Sequence, residues 1–281
     1  MSARTLVVTA DDLGLTPGVN AAVAEGFDRG IVTATSLLAV GRAFDDAARV
    51  LRERPGLELG AHLALVGEDP PLLTSREIPS LVDARGAFPL SYRTVVQRGL
   101  LGRLDPDDVR RELSAQLERV LGLGLPVTHL DTHQHTHLWP AVAGVVVELA
   151  RAAGIPAVRL TTSHARSVVG LGVRALAGPL RARVAAAGLT GTADYAGLDE
   201  AGSMDAERFL STLQAAARRG ATTLEINCHP GTPGEPDLAR FAWDYHWDAE
   251  AAMLVDPGSA AAVTTGGYRL AGFSGLAAPE R

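Results

Sequence analysis

The chain has 281 residues, 47% of them hydrophobic and 21% charged, enough to bury a full globular core and to exclude a disordered chain. Its 26 basic residues are all arginine, which excludes a Schiff-base lysine, a phosphate-loop lysine and a serine–lysine pair. With 32 acidic residues the formal net charge is -6 and no basic run is present, which argues against a nucleic-acid partner.

Short apolar or β-branched runs alternate with helix-like stretches, the pattern of βα units around a parallel sheet. In chain order the pattern predicts strands at 6–10, 32–38, 57–63, 127–131, 157–160, 191–195, 223–227 and 268–272. Helices are predicted at 17–29, 43–54, 106–121, 140–153 and 204–219; the first carries Thr16 as cap, Pro17 in its first turn and Gly30 beyond its end. Seven or eight such units in one chain imply a single-domain α/β fold over 1–281, a distorted (β/α) TIM-like barrel. The stretch 66–104, rich in Pro, Gly and Arg, is long for a loop and is expected to be an insertion over one barrel mouth. The apolar stretch 5–10 is too short for a signal segment, and Glu148, Arg151, Arg174 and Arg181 interrupt the later apolar stretches, so no membrane span is expected. The single cysteine, Cys228, excludes an internal disulfide and a multi-cysteine metal cluster, and a cytoplasmic location is expected.

Chemistry concentrates at predicted strand ends. Asp11 and Asp12 follow the first strand, His62 closes the third, and His229 closes the seventh. Four of the eight histidines, His129, His133, His135 and His137, fall with Asp131 in one run at alternating positions, so an extended chain would project them to one face. The C-terminal strand ends are where barrel enzymes build their sites. A carboxylate with two imidazoles is a ligand set of hydrolytic metal sites, and a second carboxylate can then act as base. No dinucleotide fingerprint, His-Glu-x-x-His helix or Gly-x-Ser-x-Gly elbow is present.

Together, Ala10-Asp11-Asp12-Leu13-Gly14, Gly60-Ala61-His62-Leu63, His129-Leu130-Asp131-Thr132-His133-Gln134-His135 and His229-Pro230-Gly231 resemble the YdjC/ChbG-type carbohydrate deacetylases, over a span from Thr5 to about Phe273. The stretch 78–82 and the tail with Trp243, Tyr245 and Trp247 look closer to the HpnK-like branch, associated with hopanoid biosynthesis. The resemblance implies a distorted β/α barrel that removes acetyl from N-acetylated sugars with one divalent metal ion, commonly magnesium in the family. Two imidazoles also suit zinc or another transition metal. Carried over by position, Asp12, His62 and His133 are the implied metal ligands, Asp11 the general base and His229 the candidate general acid. This chain has Thr132 where the family usually has Ser, Gln134 where it often has His, and Leu13 where it commonly has Phe.

Arg159 is expected either to pair with Asp11, to contact substrate or to form a structural salt bridge. Trp139, Trp243 and Trp247 are candidate stacking faces for a sugar, with core packing as the alternative. Cys228 is assigned to packing, because neighbouring strand residues face opposite ways and Cys228 cannot easily converge with His229. The expected partner is an N-acetylated sugar, with no nucleic acid, and a homodimer is admitted. Two other readings stand beside the deacetylase: a metal-dependent phosphoesterase using the same cluster, and a non-catalytic sugar- or metal-binding barrel. The first would want cationic phosphate clamps, and the second has no need of two adjacent aspartates.

Overall fold

The computed structural model describes residues 4–276. Eight strands and nine α-helices are found among them, in the order β1 (Arg4–Leu13), α1 (Pro17–Arg29), β2 (Ala34–Leu38), α2 (Phe44–Glu53), β3 (Glu58–Leu63), α3 (Tyr92–Leu100), α4 (Pro106–Leu121), β4 (Val127–Thr132), α5 (Pro140–Ala152), β5 (Ala157–Val158), α6 (Val168–Ala186), β6 (Asp194–Ala196), α7 (Ala206–Arg218), β7 (Thr223–Cys228), α8 (Trp247–Val255), α9 (Pro257–Thr265) and β8 (Tyr268–Leu270). Local chemistry explains the boundaries. Thr16 accepts from the Val19 amide at the start of α1, Asp105 from Asp107 at α4, and Asp205 from Arg208 at α7.

All strand pairs are parallel, in the order β5-β4-β3-β2-β1-β7-β6, with β8 pairing the first residues of β1. The sheet curls until its two edges meet at a single bridge between Ala157 of β5 and Thr190, just before β6. The result is the expected distorted barrel, its last seam held by one bridge and not by a ladder. That seam explains why β6 begins at Asp194 and not at Gly191: Thr190 exchanges backbone hydrogen bonds with Pro156 and Val158.

Two apolar regions follow from the alternation of side chains along the strands. The larger joins the outer faces of the strands to the helices, through residues such as Leu6, Val8, Leu37, Leu130 and Ile226. The smaller joins Val7, Ala34 and Ala157 to Phe273, which plugs the bottom of the barrel. His129 stacks on Phe273 at 3.8 Å between ring centroids, and above it the barrel interior turns polar. The segment between β3 and α4 includes α3 and buries Ile78, Leu81, Phe88 and Val95 against the main core, so it is a packed wall. No helix of the described residues is long and apolar enough to cross a membrane.

Candidate metal centre and active site

Parallel register brings the motifs to one level. Ala10 pairs with Cys228, so Asp11 and His229 emerge side by side, and His62 lies directly opposite Asp131 on the neighbouring strand. Strand alternation should send Asp11 and Asp12 to opposite faces. The β1–β2 register shifts between Ala10 and Leu13, and Asp12 takes a left-handed φ of 64°, which turns both carboxylates to the same mouth. Backbone strain at this non-glycine position is what allows two adjacent aspartates to share one site.

Asp12 Oδ1 lies 3.0 Å from His133 Nδ1 and 3.3 Å from His62 Nε2, while its Oδ2 is buried without a partner. One ligand atom from each of Asp12, His62 and His133 lies within 4.8 Å of the others. This buried cluster could hold a metal ion, and the unpartnered oxygen and the carboxylate–imidazole donor set fit one. His62 Nδ1 sits 2.8 Å from Asp131 Oδ1, a carboxylate behind an imidazole of the kind that orients metal-binding histidines. Burial disfavours the His62 imidazolium, but the Asp131 and Asp12 carboxylates outweigh it and push the group up to about 10. Burial likewise opposes charge on Asp12, yet His133 and His62 hold it well below the usual carboxylate range.

Asp11 is held differently. Arg159 donates to both of its oxygens at 2.7 Å, and Asn227 donates to Oδ2, also at 2.7 Å. The same guanidinium lies 2.7 Å from Asp131 and donates to Glu225 at 2.8 Å, so one buried cation serves three buried carboxylates. Burial raises Glu225 to about 7, against the pull of Arg159. Arg159 is fully buried and absent from the cavity wall. The structure thus places it in charge pairing with Asp11, behind the cavity floor.

The four clustered histidines separate. His129 is locked between Ser36 and Thr128 and stacked on Phe273; burial lowers it to about 3, so it is a neutral packing group. His137 bonds Thr132 and Thr161, and burial lowers it to about 4. Extended alternation ends at His133, because Gln134 and His135 adopt left-handed φ values of 50° and 53°. Only His133 of the four joins Asp12 and His62. His135 instead heads a directed chain. Its Nε2 lies 3.2 Å from the Tyr195 hydroxyl, which donates to Asn227 Oδ1 at 2.5 Å, and the Asn227 amide donates to Asp11. Asn227 and Glu225 were not singled out in the sequence, although the period of two through His229 places 225, 227 and 229 on one strand face.

A cavity of about 540 Å³ opens over these groups, and Asp11, Asp12, His62, His133 and His229 line it. The His229 amide donates to Glu250 at 2.5 Å, and its Nδ1 lies 3.8 Å from the same carboxylate. Burial works against the imidazolium, but Glu250 prevails and raises its pKa. Trp139 and Trp243 line the cavity; Trp243 is pinned by Glu68 and sits 5.2 Å from the His133 ring. Trp247 does not reach it. It packs behind Trp243, Tyr245 and Phe241, and of the two tryptophans in that tail Trp243 lines the cavity. Cys228 is fully buried on the opposite side of β7 from the site, as packing requires.

Residues 5–265 match the family described as YdjC-like protein. The chain belongs to the YdjC-like family. A carbohydrate deacetylase of Geobacillus stearothermophilus is 31% identical over 271 residues, covering 95% of this chain and 96% of that one. A chitooligosaccharide deacetylase of Yersinia pestis (strain Pestoides F) is also 31% identical, over 96% of this chain and 98% of its own length. A solved structure from Enterococcus faecalis V583, described in terms of cellobiose-phosphate cleavage, superimposes with a TM-score of 0.80 at 26% identity, covering 98% of this chain and all of that one. In this YdjC-like chain the four sequence motifs thus converge on one cavity floor.

Proposed function

We propose that this YdjC-like protein is a metal-dependent hydrolase that removes the acetyl group from an N-acetylated sugar, releasing acetate and a free amine. The observation that carries the reading is the division of the acidic pair: Asp12 belongs to the His62–His133 cluster, while Asp11 is held beside it by Arg159 and Asn227. A divalent ion held by Asp12, His62 and His133 would supply Lewis acidity toward the acetyl carbonyl and toward water. Asp11, held in place by the guanidinium, accepts the proton of the attacking water. His229, which follows the neighbouring strand beside Asp11 and is favoured in its protonated form by Glu250, donates to the departing amine nitrogen. The names of the Geobacillus and Yersinia relatives support the substrate class. Two imidazoles in the ligand set suit zinc or another transition metal as well as the magnesium that the family resemblance implies.

The cavity wall bears on the rest of the substrate. Val95 and Val96 of α3, Val169 and Val173 of α6, and Leu138 make it largely apolar beyond the polar floor. That wall supports an N-acetylglucosamine unit on a larger carrier, or a short oligosaccharide. Among the described residues no arginine lines the cavity, which leaves a phosphoesterase without cationic clamps there. The test is acetate release by metal-loaded protein from a panel of N-acetylated chitooligosaccharides, N-acetylglucosaminyl lipids and other N-acetylglucosamine conjugates. Release from at least one, abolished by chelation, is expected; no release from any of them across a series of divalent metals overturns the reading.

A further inference from the structure

Two stretches of this acidic chain contain no aspartate or glutamate, residues 84–104 and 160–193. At the chain's average acid content several carboxylates would fall in stretches of that length. The two stretches carry α3 and α6, whose side chains form facing parts of the cavity wall. Arg85, Arg93, Arg103 and Arg166 are exposed there, and none is ion-paired to a carboxylate among the described residues; Arg181 and Arg183, near the far end of α6, instead donate to the carbonyls of Thr192, Ala193 and Pro140. Elsewhere on the surface some arginines pair, as Arg49 does with Asp46 and Arg110 with Glu148, while others such as Arg52, Arg76 and Arg151 do not; what sets the rim apart is the absence of carboxylates from its own stretches. The carboxylates that reach these stretches from outside include Asp83, which accepts from the amides of Arg85 and Ala87, Asp199, which accepts from Ser163 and from the amides of His164 and Ala165, and Asp194, beside His164 and Arg219.

The same rim exposes apolar side chains. Among the described residues, six of the eight exposed large hydrophobics lie on it: Leu90, Leu100, Leu101, Val168, Val169 and Leu171. Val168 is 86% and Leu100 is 74% exposed, which no packing requirement of the barrel explains. Gln134, beside the metal-candidate His133, bonds the Leu90 carbonyl and the Tyr92 amide, tying the rim to the site. Protruding apolar residues among unpaired arginines, with carboxylates cleared away, are the chemistry of a surface that rests on the headgroup–acyl boundary of an anionic bilayer.

We infer that the cavity mouth docks on an anionic lipid surface, with the apolar residues of α3 and α6 inserted shallowly and the arginines among the headgroups. Electrostatic attraction and shallow apolar insertion together give reversible binding with no spanning segment. The barrel then presents its open mouth to the membrane face. Vesicle binding is read without catalysis, so this inference and the deacetylase reading fail separately.

The test is co-sedimentation of the full chain with phosphatidylcholine vesicles and with vesicles of phosphatidylcholine mixed with phosphatidylglycerol. Binding to the mixed vesicles alone, released by added salt, is expected. Arg93→Gln and Arg103→Gln should each weaken binding roughly fivefold, with Arg218→Gln on α7 as an unaffected control. Val168→Asp with Leu171→Asp should abolish sedimentation while leaving turnover of a short soluble substrate and the thermal midpoint unchanged. Wild-type protein that stays in the supernatant overturns the inference, as does equal sedimentation of the rim variants. A salt-insensitive dimer that the Val168→Asp, Leu171→Asp variant dissociates, without vesicle binding, also overturns it and assigns the rim to a second copy of the chain.

Discussion

Arg159 grips both carboxylate oxygens of Asp11 at 2.7 Å from a guanidinium that has no exposed surface. A fork of this kind is rigid and directional, and its burial means that solvent screens it little. The neighbouring Asp12 makes no contact with Arg159 and faces two imidazoles instead. The two aspartates therefore differ in environment although they are adjacent in the chain, and each environment predicts a separate loss.

Asp11→Asn should cut turnover by roughly 10²–10⁴-fold, the scale of a lost general base, with metal content nearly intact. The fold should survive, because Arg159 keeps Asp131 and Glu225 as partners. Asp12→Asn should lower metal affinity as well as turnover. Metal analysis of the two purified variants beside their kcat separates the roles, and the reverse order would exchange them.

Tyr195→Phe removes one buried hydroxyl from the chain His135–Tyr195–Asn227–Asp11. Asn227 then loses the donor that fixes its amide, and its oxygen is free to turn toward Asp11. The expected result is a kcat reduced roughly tenfold, of the order of one lost buried hydrogen bond, with KM and metal affinity unchanged. In an Asp11→Asn background the same substitution should cost nothing further. Additive losses in that double variant would show that Tyr195 supports the barrel in general and not Asp11.

These contacts also mark where the sequence stops being readable. The strands were legible because short apolar or β-branched runs alternate with helix-like stretches, and α1 and α4 because cap, proline and apolar period agree. Helix α6 was not: its glycines and Pro179 obscure any periodicity, and its packing against α5 and the turn after His133 supplies what propensity lacks. The metal-candidate residues were found through strand-end position and family motif. The alternation rule misplaced His135 and His137, because it holds only until the left-handed turn at Gln134. Glu225 and the burial of Arg159 depend on barrel closure, which brings β5, β1 and β7 around one guanidinium; no local pattern encodes that.

His62 gives a pH dependence. Its pKa rises from 6.5 to about 10 on folding without metal, so the folded chain holds a proton that the unfolded chain releases near 6.5. The stabilisation is complete below about pH 6.5 and is lost as pH rises toward 10. Metal binding displaces that proton, so metal affinity should climb with pH over the same window. Thermal midpoints with chelator should fall from pH 7 to pH 10, and the gain on adding metal should widen. In His62→Gln the chelator curve should lose most of this fall. A metal affinity independent of pH would place His62 outside the metal site.

Substrate length follows from the walls of the cavity. A long sugar polymer needs an open cleft with polar and aromatic contacts running past the reacting unit, as each added ring must be desolvated and held. Here the segment after β3 contributes Tyr92, Val95 and Val96 to one side, α6 contributes Val169, Val173 and Leu176 to another, and Trp243 and Tyr245 stand over the floor. Trp243 is fixed by Glu68, and Trp139 packs its ring against the backbone at Gly99, so two of the aromatic walls are braced. A volume of about 540 Å³ accommodates a sugar unit or two beside an apolar carrier, not a continuous chain. Acetate release per acetyl group should therefore be faster from di- and trisaccharides, or from a single N-acetylglucosamine on an apolar carrier, than from soluble long-chain chitin derivatives. Replacing Val96 and Val173, which line the cavity and are only half-buried, by Asp should slow the carrier-linked substrate through KM and leave the disaccharide nearly unaffected. Equal or faster release from the long chains would show that these walls open into a cleft during turnover.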